Sequence, residues 1–405
     1  MTTQITICGG GNAAHTLAGL LSSRQELSVQ VYIPFGNEAQ LWQEGIQQNK
    51  GITVNTPTGT IQGQPSAVFK DPSAAVSGSK LVFVALPAFA HEPILKQIAA
   101  YISPGTWVGA IPARGGFDLC VRDVFKERLS AISIFGFQTL PWACRIQEFG
   151  KQTTILGAKK QVDITAWPSV MTPIISARLQ ELLSMAINPT ASFLSLALAD
   201  TGQIIHPGIM YGLFHDWTGH PYDKPQLFYQ GVDASIAVVL QQMSDEIQSL
   251  RTALEEYYPT LDLSAVRPIS DWLKLSYQTN IVDSSTLQSS FATNTSYTGL
   301  LAPMQKTNGG YIPDFQARYL SEDVPYNLLV TRGIAELAGV STPVIDKVLS
   351  WAQNQLAKEY LTSGKMQGDD LQYTRTPQRY GFTNLNQFMK KMQYLASTKN
   401  NAYVF

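Results

Sequence analysis

Three consecutive glycines, Gly9, Gly10 and Gly11, constrain this 405-residue chain more than any other feature of its sequence. Glycine inside regular structure costs about 0.5–1 kcal/mol relative to alanine, so three at one boundary indicate a tight turn or a close approach of the backbone. Residues 5–8 alternate as a β-strand does, and the apolar residues after the glycines recur at helical spacing. The segment is therefore predicted to form a strand, a tight turn and a helix.

Gly9, Gly11 and Ala14 match G-x-G-x-x-G/A, the pattern that binds a pyrophosphate in dinucleotide-binding folds. The first glycine permits the turn, the second lets a phosphate approach the backbone, and the small third residue lets the helix pack on the strand. Free N–H groups at the helix start then attract the anion. A purely structural glycine turn is the alternative. We predict cofactor contacts from these residues: Gly9, Gly10, Gly11, Asn12, Ala13, Ala14 and, after a later strand, Pro87.

Composition limits the partners and the compartment. The 29 basic and 30 acidic residues give a net charge of −1 without a basic stripe, so we expect neither nucleic acid nor an anionic membrane as partner. The longest apolar run, residues 81–86, is far shorter than the roughly 20 residues of a bilayer span. No signal peptide is visible, and three scattered cysteines suggest a reducing compartment, buried thiols and no metal. We expect a cytoplasmic protein.

The pattern of apolar residues changes near residue 190, from one typical of strands to one typical of helices. Before it, apolar strand candidates at 81–86, 106–111, 131–137 and 153–157 end in turns, several rich in Pro or Gly, which cluster at one edge of a parallel sheet. Arg114 and Thr139, like Pro87, are therefore predicted to line a cofactor cleft, ordinary turns being the alternative. After it, helical spacing dominates, up to a polar tail from Lys390. The fold class is predicted to be α/β: a Rossmann-type doubly wound parallel sheet in residues 1–195, then an all-helical substrate domain in residues 196–405.

A nicotinamide-dependent reductase needs an acid that works near neutral pH, and histidine is the usual choice. His206 lies at the end of an apolar helical stretch, and the proline after it predicts that the helix stops there. A hydrogen-bonded core histidine is the alternative. We expect His15, directly after the glycine turn, to be structural or close to the phosphates.

The segment from Arg318 to Pro325 offers a second set of polar groups. Asp323 stands before a proline-started helix, where acids usually cap the helix. In a functional reading, Asp323 instead fixes the tautomer of a histidine, and Arg318 grips a substrate carboxylate with two hydrogen bonds. Spacing alone does not show that residues 206 and 323 meet.

Nearly the whole chain resembles the octopine/nopaline dehydrogenase family, and within it the invertebrate opine dehydrogenases of octopine, tauropine, alanopine and strombine type. The resemblance rests on seven segments that together are far more specific than the glycine motif. They are CGGGNAAHTLAGLLSSR, LPAFAHE, FQTLPWACRI, HPGIMYG, FYQGVD, YLSEDVP and TPQRYGF.

This resemblance implies a reaction and roles for particular residues. Such enzymes use NADH to join pyruvate reductively to the amino group of an amino acid, which regenerates NAD in anaerobic glycolysis. His206 would be the acid/base residue, Asp323 would orient it, and Arg318 would bind the pyruvate carboxylate. Trp272 falls where the family lines the substrate pocket, and Thr139 in the turn that faces the cleft. The resemblance also implies a monomer.

Two departures from the family pattern bear on the substrates. The second strand ends in Tyr32-Ile33-Pro34 without the usual acid for a ribose hydroxyl, and the nearest acid is Glu38. We still expect NADH, since no arginine is placed to take a 2′-phosphate. Asp200 and Gly202 stand where octopine-type members carry bulkier residues, so a different amine is expected. Arg114 adds a cation that would suit a small amino acid or the sulfonate of taurine.

The sequence alone leaves two other functions open. A ketopantoate- or glycerol-phosphate-type reductase would share the two-domain layout, but those families use a lysine as the acid. An NADH-binding sensor without turnover belongs to a different class, and the presence of His206, Asp323 and Arg318 argues against it.

Overall fold

The computed structural model describes residues 2–394, so residues 395–405 of the polar tail lie outside the described part. The chain divides into two compact units, Met1–Leu196 and Ala197–Phe405.

The first unit is built on two sheets. Its strands are β1 (Thr3–Cys8), β2 (Leu27–Tyr32), β3 (Ile52–Thr56), β4 (Gly59–Gly63), β5 (Ala67–Phe69), β6 (Leu81–Val84), β7 (Trp107–Ala110), β8 (Ser133–Phe137), β9 (Trp142–Glu148), β10 (Gln152–Ala158), β11 (Gln161–Trp167) and β12 (Ala186–Pro189). Its helices are α1 (Asn12–Ser22), α2 (Glu38–Asn49), α3 (Pro72–Val76), α4 (Ala88–Ile98), α5 (Phe117–Phe125) and α6 (Thr172–Leu183), and the division between the units falls inside α7 (Phe193–Leu198).

The large sheet has the strand order β12-β11-β8-β7-β6-β1-β2-β5. Strands β5, β2, β1, β6, β7 and β8 run parallel, β11 is antiparallel to β8, and β12 is parallel to β11. All four residues of β6 are buried, as a strand covered on both faces requires. The chain order reverses at β1, whose neighbours are β2 and β6. Ligands of open α/β sheets bind at such a switch point, and the predicted Rossmann-type fold is confirmed.

Strand β10, predicted as a further member of this sheet, belongs instead to a smaller one. The order there is β4-β3-β10-β9, and β10 pairs parallel with β3 and antiparallel with β9. Only alternate residues in the first half of β10 are buried, so it covers a core on one face. That pattern suits a layer packed against α1, whose closest neighbours include β3, β4, β9 and β10.

The second unit is mainly helical. Its helices are α8 (Gly202–Phe214), α9 (Ala234–Tyr257), α10 (Ile269–Tyr277), α11 (Leu287–Ala292), α12 (Arg318–Ser321), α13 (Leu329–Ala338), α14 (Pro343–Gln355) and α15 (Leu385–Met392), with a π-helical turn at Val324–Leu328. Two small hairpins add to them: β13 (Met304–Thr307) with β14 (Gly310–Pro313), and β15 (Leu361–Thr362) with β16 (Lys365–Met366). The hairpins refine the all-helical prediction.

The prediction that the helix stops at His206 is wrong. Helix α8 runs through Pro207 to Phe214. Proline removes one backbone hydrogen bond and disfavours helical geometry at the residue before it. Burial offsets this cost, because most of α8 is buried and the helix packs closely on α9. A Cβ on Gly208 would come within 2.5 Å of the Leu240 side chain, so only a residue this small allows the contact.

Three further observations concern the described residues alone. No helix among residues 2–394 is long and apolar enough to cross a membrane. Within the same range, no three His, Cys, Asp or Glu side chains form a group suited to a metal ion. Cys8, Cys120 and Cys144 are free thiols and all three are buried, as predicted.

Candidate active site

The glycine turn in the first unit joins the end of β1 to α1. Gly9 has φ of +132°, a conformation open to glycine, and its N–H donates to the Tyr32 carbonyl at 2.9 Å. A Cβ on Gly9 would lie 2.6 Å from the Ala85 carbonyl oxygen, so β1 and the loop after β6 are in close contact. That loop continues into Pro87, which directly precedes α4. Pro87 and the glycines therefore share one edge of the sheet.

The start of α1 is suited to an anion. Gly11 precedes the helix without a side-chain cap, and the first turn carries no acid. A Cβ on Gly11 would meet no heavy atom within 4 Å among the described residues. Ala14 is fully buried, so the small third residue of the motif does allow close packing. Asn12 accepts a hydrogen bond from the Ile146 N–H at 2.8 Å, which ties the helix start to β9. The residues present fit a dinucleotide pyrophosphate.

Glu38, the acid nearest to the end of β2, lies at the glycine turn. It is the first residue of α2, and a Cβ on Gly10 would lie 2.6 Å from Glu38 Oε2. The carboxylate therefore lies against the glycine turn although it stands six residues beyond β2. A carboxylate at such a turn accepts hydrogen bonds from a ribose diol and repels a 2′-phosphate. In the sequence Glu38 stands out only as the nearest acid, and spacing from the strand end did not predict that it lies at the turn.

His15, on α1, holds the glycine turn through hydrogen bonds of its ring. The Gly150 N–H donates to Nε2 at 2.8 Å, which places the ring proton on Nδ1, and Nδ1–H donates to the Gly11 carbonyl at 3.0 Å. The ring packs on Trp42 and Phe149, with centroids 4.1 and 5.1 Å away. Burial lowers the pKa of His15 from 6.5 to about 4, partly offset by its backbone hydrogen bonds. His15 is a neutral structural residue.

Arg114 and Thr139 follow β7 and β8 at the same edge of the large sheet. Arg114 lies three residues before α5 with φ of +63°, in the left-handed region that side chains other than glycine rarely adopt. Such backbone strain often marks a functional loop. Thr139 lies two residues after β8 and is half-buried.

In the second unit, the fold brings together two residues 117 positions apart. His206 Nδ1 lies 2.8 Å from Asp323 Oδ2. The Asp323 side chain is 2% exposed and that of His206 20% exposed, so the carboxylate is buried and the imidazole is partly accessible. A carboxylate only accepts, so Nδ1 carries the proton and Nε2 presents its lone pair. Asp323 directly precedes the π-helical turn and makes no cap hydrogen bond, so the capping alternative does not describe it.

Tyr229 faces the other ring nitrogen, and sequence reasoning missed it. Its hydroxyl donates to His206 Nε2 at 3.2 Å. Burial, with smaller contributions from Tyr319 and Tyr277, raises the pKa of Tyr229 far above its usual value, so the phenol stays protonated. Tyr319 stacks on the imidazole with ring centroids 4.2 Å apart and planes 10° from parallel. The ring of His206 is therefore fixed on both edges and on one face.

A row of aromatic rings leads from His206 to Trp272. Tyr229 stacks on Tyr297 at 4.0 Å, Tyr297 contacts Tyr277 at 5.0 Å, and Tyr277 contacts Trp272 at 5.9 Å. The half-buried indole of Trp272, on α10, thus belongs to the same aromatic cluster as the histidine. This placement suits an apolar wall for a substrate.

Arg318 lies one residue before Tyr319 on α12. Its Nε pairs with the Glu322 carboxylate, which is 1% exposed, while the Arg318 side chain is 56% exposed. The buried carboxylate holds the stem of the arginine and leaves most of the side chain in solvent. A guanidinium anchored on one edge can still grip a carboxylate with the other.

Asp200, predicted to contact the amine, stands just before α8. Its Oδ1 accepts the Gly202 N–H at 2.9 Å, and its Oδ2 accepts from Asn327 Nδ2 at 3.0 Å. Asn327 lies four residues after Asp323, a spacing that places both on one helical face and that the sequence already displayed. The structure thus brings Asp200, Asn327, Asp323 and His206 into one network.

Known proteins are similar to this chain over nearly its whole length. The model of the NAD/NADP octopine/nopaline dehydrogenase family, α-helical domain, matches residues 189–356. Octopine dehydrogenase of Mizuhopecten yessoensis is 36% identical over 95% of this chain and 98% of that protein. Tauropine dehydrogenase of Arabella iricolor is 36% identical over 95% and 99%, and opine dehydrogenase of Haliotis discus hannai 38% identical over 97% and 100%.

Solved structures give the same relationship. Octopine dehydrogenase with NADH and L-arginine matches with a TM-score of 0.91 and 36% identity, covering 96% of this chain and 98% of that one. A ketopantoate reductase from Ralstonia eutropha matches with a TM-score of 0.55 at 12% identity, which is a likeness of fold alone.

Proposed function

Because the chain belongs to the octopine/nopaline dehydrogenase family, we propose that it is an NADH-dependent opine dehydrogenase that joins pyruvate to the amino group of a small amino acid or taurine. Relatives named for octopine and for tauropine are equally identical to this chain, so family membership leaves the amine open. The observation that carries the proposal is the 2.8 Å contact between His206 and Asp323. It supplies an oriented acid/base group in the family's helical domain.

The reaction balances as pyruvate, amine, NADH and one proton giving the opine, NAD and water. The amine nitrogen attacks the keto carbon of pyruvate, the carbonyl oxygen leaves as water, and a carbon–nitrogen double bond results. NADH, when bound, supplies the hydride that reduces this bond at the former keto carbon. The product is an N-(1-carboxyethyl) amino acid, and regeneration of NAD in anaerobic glycolysis is the role that follows.

His206 is the proposed acid/base residue. The keto oxygen needs a proton to leave as water, and the amine must lose one to attack, so a group that both gives and takes a proton serves each step. Asp323 holds the ring proton on Nδ1 and stabilises the imidazolium when Nε2 is protonated. Nε2 is then the atom that exchanges protons with the substrates.

The remaining predicted residues bind and orient the substrates. Arg318, anchored by Glu322, takes the pyruvate carboxylate, and Trp272 at the end of the aromatic row gives an apolar wall. From the first unit, Thr139 contributes a hydroxyl, and Arg114 a cation for the carboxylate or sulfonate of the amine substrate. Asp200 is proposed to influence which amine is accepted.

The glycine turn is proposed to hold the NADH pyrophosphate through Gly9, Gly10, Gly11, Asn12, Ala13 and Ala14, with Pro87 beside it. The approach of Glu38 to Gly10 supports NADH over NADPH. Residues 1–195 would thus bind the cofactor and residues 196–405 most of the substrate. We further propose a cytoplasmic monomer, which size-exclusion chromatography and cell fractionation test.

The deciding experiment follows NADH absorbance with pyruvate fixed and the amine varied among alanine, glycine, β-alanine, taurine, arginine and none. We expect turnover with one or two amines and none without an amine. Loss of NADH without any amine would identify a keto-acid reductase instead. Binding of NADH without turnover in every mixture would identify a sensor.

A further inference from the structure

Asn327 joins two carboxylates. Its Nδ2 lies 3.0 Å from Asp200 Oδ2 and 3.2 Å from Asp323 Oδ1. An amide nitrogen carries two hydrogens, so one N–H serves each carboxylate. Asn327 and Asp323 are each 1% exposed, which makes this bridge part of the protein interior. A donor shared by two acids has a strong geometric preference, because moving the amide would break one of these two hydrogen bonds.

The bridge is fixed at both ends by elements of the candidate site. Asp200 Oδ1 accepts the Gly202 N–H at the start of α8, four residues before His206. Asp323 Oδ2, the oxygen that Asn327 does not take, contacts His206 Nδ1. The hydrogen bonds therefore run from the helix that carries the histidine, through Asp200 and Asn327, and return through Asp323 to the histidine.

We propose that Asn327 is a positioning residue that aligns the Asp323 carboxylate with His206, and that through it Asp200 acts as a second carboxylate favouring the protonated imidazole. The inference rests on the proposed function, because it concerns the acid of that reaction. A carboxylate held by a directed hydrogen bond keeps its partner in one orientation, and Asp200 holds the amide that makes this bond by accepting its other N–H. A well-aligned Asp323 in turn favours the protonated ring.

The other charged groups around His206 leave this role open. Tyr319 stacks on the ring, and Tyr229 contacts it as a neutral phenol. On α12, Arg318 pairs with Glu322. Helices α9 and α14 also pack on α8, and their charged side chains have partners other than His206. On α9, Glu246 accepts the N–H groups of Val344 and Ile345. On α14, Asp346 pairs with Arg332, and Lys347 lies over the ring of Tyr211.

The test is a double-mutant cycle with Asn327→Leu, Asp200→Asn and both together. We expect Asn327→Leu to lower kcat about 10- to 100-fold, the range for losing a hydrogen bond to a charged group, with little change in the KM of the amine. Asp200→Asn should lower kcat about 3- to 10-fold and move its alkaline fall to lower pH. The double variant should match Asn327→Leu within about twofold, because Asp200 acts through Asn327.

Thr331→Val is the matched control. Thr331 is buried one helical turn after Asn327, and its hydroxyl donates to Gln203 on α8 at 2.5 Å. The variant removes a buried hydrogen bond between the same two segments without touching the bridge. It should lower the melting temperature and leave kcat and its pH profile unchanged.

Three results would overturn the inference. The first is an Asn327→Leu variant with wild-type kcat. The second is an Asp200→Asn variant that raises the KM of the amine and keeps its pH profile, since Asp200 would then contact the amine. The third is full additivity in the double variant. If Asn327→Leu fails to fold, the pH profile of Asp200→Asn still decides.

An NMR titration of the His206 ring proton, assigned with His206→Asn, needs no turnover. A lower midpoint in Asp200→Asn supports the inference even if the wild type converts no amine and the proposed function fails. An unmoved midpoint overturns the inference while leaving an observed turnover intact.

Discussion

Two histidines, one in each unit, show what separates a structural imidazole from a reactive one. His15 is fully buried, and both its ring nitrogens bond to backbone groups, the Gly11 carbonyl and the Gly150 N–H. His206 is partly exposed, and its nitrogens contact side chains that carry or share protons, Asp323 and Tyr229. Backbone partners fix one tautomer permanently, whereas a carboxylate stabilises either charge state of the ring.

The two histidines also differ in role: His15 supports a backbone structure, whereas His206 takes part in the proposed chemistry. His15 holds the carbonyl of Gly11 and so shapes a turn whose function resides in backbone N–H groups. His206 offers its own lone pair for chemistry and needs residues 117 positions away to orient it. Variants should therefore separate the two: one histidine should govern stability and the other turnover.

The largest effect is expected from His206→Asn. Loss of the acid/base group should lower kcat about 10²- to 10⁴-fold, while NADH binding and the melting temperature stay near wild type. Steady-state kinetics and thermal unfolding measure the two effects. His220→Asn, at an exposed loop position, is the matched control and should keep full activity. If His206→Asn lowers the melting temperature and spares kcat, the histidine is structural and the comparison fails.

His15 should instead govern acid stability. Its folded pKa of about 4 lies below the ordinary 6.5, so the unfolded chain binds the extra proton between these values. The stabilisation is complete above pH 6.5 and is lost as pH falls toward 4, to a total of about 3 kcal/mol. In urea unfolding, the wild type should lose about 2 kcal/mol between pH 7 and 5 through this group.

His15→Phe isolates that contribution. Phenylalanine keeps the aromatic packing on Trp42 and Phe149 but removes the titration and two hydrogen bonds. The variant should be about 1–3 kcal/mol less stable at pH 7 and show a flatter pH dependence than the wild type. Equal pH slopes in the two proteins would show that His15 does not set the acid limit.

The same contrast explains which parts of the site the sequence could predict. The glycine turn is contiguous because its function depends on backbone geometry, so its motif predicted its shape. Pro87 was predicted separately, from its position after a buried strand. His206 and Asp323 meet only through tertiary packing, and resemblance to a family, not spacing, linked them. Packing also overrode a local rule, since burial of α8 carried the helix through Pro207. Tyr229 was missed because it shares no motif with His206. Glu38 was noticed only as the nearest acid, because spacing in the sequence does not show its approach to Gly10.

Glu38 is expected to set the cofactor preference of the glycine turn that His15 supports. Its carboxylate lies against Gly10, so Glu38→Gln should remove a charge that repels a 2′-phosphate and an acceptor for the ribose hydroxyls. The preference for NADH over NADPH, measured as the ratio of kcat/KM, should fall about tenfold. Glu44→Gln, on the exposed face of the same helix, should leave the ratio unchanged. An unchanged ratio in Glu38→Gln would place the ribose elsewhere.

The smallest effect is expected from removing the Tyr229 hydroxyl, which contacts Nε2 of His206. Tyr229→Phe keeps the ring stacked on Tyr297 but removes the hydroxyl that donates to Nε2. Because that hydrogen bond fixes the imidazole from the reactive side, we expect kcat to fall about 3- to 10-fold with the KM of pyruvate little changed. As a control, Tyr211→Phe changes a tyrosine that lies on α8 with His206, about one turn after it, and should have no effect on kcat. A Tyr229→Phe variant that turns over faster would mean that the hydroxyl blocks Nε2 until substrate displaces it. In that case the contrast with His15 would narrow, because both histidines have both ring nitrogens hydrogen-bonded at rest and His206 would react only once the Tyr229 hydroxyl leaves.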